Sequence, residues 1–132
     1  MILYFSATGN SEYVARRIAA ETGDLAVSIT DCYKEQMFSF DEKCKTLGIV
    51  SPTYSWGLPV IVTEFLQRLD VSHKPDYLFF IATYGTTPGQ TGRFADHILA
   101  PKGLPLSAKF SVKMPDTWTP IFDLSKIGRA HV

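Results

Sequence analysis

Apolar residues in this chain fall into short continuous blocks, and the stretches between them repeat at helical spacing. The blocks cover residues 2–5, 25–29, 46–50 and 77–82, and a last strand is predicted near 106–112. A half-buried strand alternates apolar with polar residues, so continuous blocks of this kind predict short strands buried on both faces of a parallel sheet. After the first block, Val14, Ala15, Ile18 and Ala19 recur at helical spacing with Arg16, Arg17 and Glu21 turned outward, and Thr22-Gly23-Asp24 supplies a glycine stop. A second helix opens at Pro59, where the fixed φ suits a first turn, and Val60, Ile61, Phe65, Leu66 and Leu69 form its apolar face. A third helix is predicted from Gln90 to about Ala100. The connection over 30–45 carries Cys32, Tyr33, Met37, Phe38 and Phe40 at irregular spacing and reads as a packed loop with one helical turn near 34–38. Strands alternating with helices predict an α/β fold: five parallel strands with helices on both faces.

Composition narrows the class. At 132 residues the chain is one domain, and 45% hydrophobic with 20% charged residues describes a soluble globular protein. Thirteen basic and thirteen acidic residues cancel, which argues against nucleic acid or anionic lipid as the main partner. No basic segment precedes the apolar N-terminus and no block approaches the ~20 residues of a membrane span. The expectation is a cytoplasmic protein without a membrane partner. Cys32 and Cys44 lack C-x-x-C spacing and read as reduced, partly buried thiols. His73 and His97 have no acidic partner at catalytic spacing and read as solvated residues. No nucleophile–base pair and no metal-ligand spacing emerges, so no catalytic side chain and no metal ligand is assigned.

The chemistry lies in three loops. Ser6-Ala7-Thr8-Gly9-Asn10-Ser11 joins a strand directly to a helix and aims backbone N–H groups at one point, an anion site. It has no lysine of a P-loop and no G-x-G-x-x-G, so a phosphate monoester would be held by neutral hydrogen bonds. That suits a ligand that stays bound better than a phosphoryl group in transfer. The same residues also read as a plain turn, with Asn10 or Ser11 capping the helix. Ser51-Pro52-Thr53-Tyr54-Ser55-Trp56-Gly57-Leu58-Pro59 follows the third strand, and Thr83-Tyr84-Gly85-Thr86-Thr87-Pro88-Gly89 the fourth. Tyr54, Trp56 and Tyr84 read either as ligand contacts or as rim aromatics covering the sheet end. All three loops follow strand carboxyl ends, which right-handed crossovers bring to one edge, where parallel sheets bind ligands.

The order S-x-T-G-N-S, then S-P-T-Y-S-W-G-L-P, then T-Y-G resembles the flavodoxin superfamily over residues 1–116. More narrowly, Y-F-S-A-T-G-N-S with W-G-L-P and a late M-P-D is similar to the flavodoxin half of flavodoxin–ferredoxin fusion proteins. The resemblance implies a doubly wound sheet of order 2-1-3-4-5 and bound FMN. Ser6, Thr8, Gly9, Asn10 and Ser11 would hold the phosphate, and Pro52, Thr53, Tyr54, Ser55, Trp56 and Gly57 would lie along the isoalloxazine ring. Thr83, Tyr84 and Gly85 would face its pyrimidine edge. Stacking by Tyr54 or Trp56, worth ~1 kcal/mol per good contact, would tune the potential. Gly57 is the candidate for a peptide that responds to protonation of the flavin, since glycine tolerates either orientation. The implied function is electron transfer to or from a redox protein or a fused ferredoxin domain. Two alternatives stay open: an NAD(P)H-dependent FMN or quinone oxidoreductase, and a cofactor-free binding module.

Two departures from the family pattern stand out. Long-chain flavodoxins are strongly acidic and this chain is neutral, which points to a different docking logic. Residues 114–120 break helical continuity and leave only 121–132, too short and polar to supply the helix that usually closes the fold. The domain is therefore expected to span 1–116, with 117–132 a truncated, partly artefactual tail. Residues 127–132 back-translate to the opening of a sequencing adapter, so the natural chain is expected to continue past about Lys126. Iron–sulfur clusters would belong only to a ferredoxin region there.

Overall fold

The central strands send alternate side chains into two separate cores, one on each face of a parallel sheet. The computed structural model describes residues 1–54 and 57–114. Its elements are β1 (Ile2–Tyr4), α1 (Asn10–Thr22), β2 (Ala26–Ser28), α2 (Ile29–Lys34), β3 (Ser39–Phe40), β4 (Thr46–Pro52), α3 (Val60–Arg68), β5 (Asp70–Val71), β6 (Tyr77–Tyr84), α4 (Thr91–Leu99) and β7 (Ala108–Lys113). A 3-10 turn, Ala100–Lys102, extends α4. The main sheet runs β2-β1-β4-β6-β7 with every pairing parallel. Counting its strands alone, this is the expected order 2-1-3-4-5.

Leu3, Leu47, Ile49, Leu78, Phe80 and Ala82 face the core that α2, α3 and α4 cover with Ile29, Cys32, Val62, Phe65, Leu66, Ala95 and Leu99. Ile2, Tyr4, Val50, Phe79 and Ile81 face the other, under Val14, Ala15, Ile18 and Ala19 of α1. Because both faces are apolar, the central strands show no alternation in sequence although each alternates in space; the edge strand β7 alternates half-buried with exposed residues. Gly48 pairs with Phe79 in register, and the Phe79 ring fills the space where a side chain would stand.

Local signals explain most boundaries. α1 ends at Gly23, which takes the left-handed conformation (φ +67°) and returns its N–H to the Ala19 carbonyl. Its outer face carries the i,i+4 pairs Glu12–Arg16 and Arg17–Glu21. Pro59 sits at the N-cap of α3, one residue before its first turn. At the other end of α3, the Lys102 ammonium donates to the carbonyls of Leu66, Gln67 and Leu69. A cation there meets the negative end of the helix dipole, while burial pulls the lysine pKa below its usual value.

The 25–45 region departs from the sequence reading. The second strand stops at Ser28, whose Oγ accepts from the Asp31 N–H and starts a helix. That helix therefore spans Ile29–Lys34 and precedes the turn expected near 34–38. The connection then forms a two-residue parallel pairing, Ser39 with Asp70 and Phe40 with Val71, too short to leave a periodic signal. Residues 115–132, including the expected absence of a closing helix and the tail boundary, lie outside the described residues.

Candidate functional site

The loops after β1, β4 and β6 meet at the carboxyl edge of three adjacent strands. β4 runs on to Pro52 and β6 to Tyr84, so Pro52, Thr83 and Tyr84 are strand-end residues, with Pro52 paired to Thr83. Gly85 follows as an exposed residue of the third loop. Ser55 and Trp56 lie outside the described residues.

In the first loop Gly9 holds φ +98°, a left-handed angle that favours glycine, and a Cβ there would meet nothing within 4 Å. The backbone angle requires the glycine, and the space beside it is open. Ser6 Oγ accepts the Gly9 N–H at 2.9 Å, which closes the turn, and the Gly9 carbonyl accepts the Tyr13 N–H. Gly9 is the N-cap of α1 with no side-chain capping bond, while Asn10 and Ser11 are its first helical residues. The plain-cap alternative for Asn10 or Ser11 thus gives way to a helix start whose first N–H groups face the loop. Thr8 is exposed beside it.

Ser11 and Thr83 meet each other. Ser11 Oγ lies 2.8 Å from Thr83 Oγ1, both buried, so the first helical turn is tied to the end of β6. The Ser11 hydroxyl is engaged there, and its backbone N–H is the group left to an anion. Asn10 Oδ1 is buried with no hydrogen-bond partner, a state that costs about 1–3 kcal/mol unless a ligand completes it. A half-turn of the amide places its NH2 donor at the same point.

The second loop is a tight antiparallel bridge. Tyr54 N–H donates to the Gly57 carbonyl at 2.8 Å and Gly57 N–H to the Tyr54 carbonyl at 2.9 Å. Reorienting the Gly57 carbonyl, as a flavin-responsive peptide would, breaks the first of these bonds. Thr53 N–H donates to the Thr83 carbonyl and joins the second loop to the third. Tyr54 stands at the rim, edge-on to Phe5 at 6.3 Å.

Three supporting residues escaped the sequence reading. Thr91 Oγ1 lies 2.8 Å from the Pro88 carbonyl and 3.1 Å from Thr53 Oγ1. A hydroxyl has one hydrogen, so when Thr91 donates to Pro88 it accepts from Thr53, and the second and third loops share a pin. Phe94 on α4 lies under Gly57, where a Cβ would come within 3.1 Å of its ring. Phe5 supports Tyr54. Thr91 lies one residue past the helix start expected at Gln90, so its nearness to the third loop was visible; the two phenylalanines carried no mark separating them from core.

A sheet of this order, with its ligand-side loops after the first, third and fourth strands, is the architecture of flavodoxin-like α/β proteins. The family model for the flavodoxin domain matches residues 1–124, and the chain belongs to that family. No curated protein matches the chain. Among solved structures, a flavodoxin from the domain Archaea aligns at TM-score 0.65 and 16% identity, over 98% of this chain and 91% of its own. A flavoprotein in complex with FMN from Lactobacillus acidophilus aligns at TM-score 0.60 and 14% identity, over 99% and 97%. The rubredoxin oxygen:oxidoreductase of Desulfovibrio gigas aligns at TM-score 0.63 and 18% identity, over 90% of this chain and only 31% of that protein. At these identities the likeness establishes the fold.

Proposed function

We propose that the chain binds FMN and serves as an electron-transfer flavoprotein whose partner is another redox protein, of which a fused ferredoxin domain is one form. The observation that carries the reading is the first loop: an open left-handed glycine at a helix start, beside the buried, unpartnered amide oxygen of Asn10. A phosphate monoester with a polyhydroxyl chain fits both, because backbone N–H groups meet the anion and a hydroxyl donates to the amide. Two structurally similar proteins, a flavoprotein in complex with FMN and a two-electron reduced flavodoxin, support the same ligand.

Bound FMN supplies one- and two-electron redox chemistry. Ser6, Thr8, Gly9 and Asn10 hold and orient its phosphate end, with the Ser11 N–H. Tyr54 and the Gly57 bridge lie along the ring, and Tyr84 and Gly85 close the third side. The Thr53–Thr91 and Ser11–Thr83 bonds hold these loops in mutual register. Among the described residues no cluster of three His, Cys, Asp or Glu offers a metal site, and no helix is long and apolar enough to cross a membrane.

Purified protein tests the reading. It should be yellow, or turn yellow on reconstitution, bleach on reduction and release FMN identified by mass. Thr8→Glu sets a carboxylate against the phosphate and should abolish uptake while the fold persists. Colourless protein that cannot be reconstituted sinks the reading.

A further inference from the structure

The formal neutrality of the chain conceals a separation of charge. From Tyr77 to Met114 the chain carries Arg93, Lys102, Lys109 and Lys113 against one carboxylate, Asp96. Before Tyr77 it carries seven Lys and Arg against ten Asp and Glu. Asp96 is engaged, its Oδ1 accepting the Leu106 N–H at 2.9 Å, and Lys102 is turned onto the end of α3. Arg93, Lys109 and Lys113 remain exposed, joined by exposed His97.

These residues share one surface. The Lys109 stem crosses Gly92, where a Cβ would lie 3.2 Å from its Cδ, so Lys109 stands beside the start of α4. Lys113, four residues on, projects from the same face of β7 and pairs in register with Tyr84 at the third loop. The patch therefore runs from α4 to the candidate site. Beside it lies an apolar groove of about 430 Å³ between Tyr54, Leu58, Phe94 and Ile98, with Phe94 45% and Tyr54 43% exposed. An apolar centre with a charged rim is the anatomy of a protein interface. A phosphate polymer is gripped by a longer stripe of cations than these.

We propose that the α4–β7 face docks an acidic electron-carrier protein, with Phe94 and Tyr54 at the contact centre and Arg93, Lys109 and Lys113 steering the approach. The electron path this serves rests on the FMN reading; the docking itself does not. Opposite charge on the two faces raises the encounter rate and orients the partner so that it meets the edge carrying the loops.

The test is an amide NMR titration of the 15N-labelled chain with a plant-type [2Fe–2S] ferredoxin, a strongly acidic probe. Shifts should concentrate at residues 92–98 and 109–113, and Kd should weaken about tenfold as added salt shortens the screening length to about 8 Å. Arg93→Glu with Lys109→Glu and Lys113→Glu should abolish binding, whereas Arg17→Glu on α1 should leave Kd within about twofold. A basic cytochrome c should leave the patch amides unmoved. Absent or salt-insensitive binding, shifts centred elsewhere, or a triple variant that binds normally each overturn the proposal. So does duplex DNA or an anionic phosphatidylglycerol vesicle occupying the patch in place of ferredoxin. The shifts are read with or without flavin, so a chain that takes up no FMN fails the functional reading and leaves the docking result to stand or fall separately.

Discussion

Ser11 Oγ and Thr83 Oγ1 lie 2.8 Å apart and buried, joining the first turn of α1 to the end of β6 across 72 residues of sequence. The bond fixes the distance between the loop proposed to hold the phosphate and the loop proposed to face the flavin ring. Removing one hydroxyl leaves the other buried without a partner, which costs about 1–3 kcal/mol. Ser11→Ala and Thr83→Val should each lower stability by that order in urea unfolding of the flavin-free protein. The double variant should lose less than the two together, with a coupling of about 1 kcal/mol. Strict additivity would show that the two hydroxyls act independently.

At Gly9 the cost is conformational. A side chain there meets nothing within 4 Å, so Gly9→Ala adds no clash, only the strain of φ +98°. The penalty should be about 1–2 kcal/mol, and Gly9→Asn should lose less because asparagine tolerates the left-handed region better. Thermal unfolding checks the order. Relaxing the turn also displaces the N–H groups of the loop, so FMN titration should show the same ranking, Gly9 above Asn above Ala.

Much of the fold was legible because strand buried on both faces and amphipathic helix leave different marks. The continuous apolar runs around Leu47 and Phe79 marked the central strands, and Gly23 marked the end of α1. What escaped had no periodic or chemical signature. Ile29 continues the apolar run of β2 yet starts α2, since the Ser28 hydroxyl bond to Asp31 outweighs the local pattern. The Ser39–Phe40 pairing with Asp70–Val71 exists only through tertiary approach. At the site, residue type identified the loops but not the pairing among their hydroxyls: Ser11 reads as a ligand to an anion until Thr83 is seen against it. Charge was read only as a total of zero although its uneven division about Tyr77 stands in the sequence; what the fold adds is the placing of Lys109 against Gly92 at the start of α4.

Gly48 is held by packing. A Cβ there would lie 2.3 Å from Phe79 Cζ and 2.8 Å from the neighbouring ring carbons, and Phe79 is fully buried between α1 and the sheet. Gly48→Ala should destabilise by at least the ~1–3 kcal/mol of ordinary overpacking, because neither backbone nor ring has room to yield. Adding Phe79→Leu should recover part of the loss. If the double variant is weaker than Gly48→Ala alone, the ring is not the obstacle.

The two thiols should differ in reactivity and in pH response. Cys32 is buried on the inner face of α2, and that burial pushes its pKa above the usual thiol value, while Cys44 is partly exposed. A disulfide reagent at neutral pH should modify Cys44 fast and Cys32 only on unfolding, so Cys44→Ser should leave no fast thiol. For a group whose pKa is raised by folding, the native state keeps a proton that the unfolded chain releases. The contribution of Cys32 is therefore whole below the usual thiol pKa and is lost as pH climbs through the folded value. Burial raises Tyr4 in the same direction, at higher pH. Tm should fall from about pH 8.5 upward, the ordinary titration range of a thiol. Cys32→Ala should lower Tm at neutral pH through the cavity it opens, yet flatten the fall up to about pH 10, where Tyr4 takes over. An unchanged slope in Cys32→Ala would mean that the Cys32 proton is not linked to folding.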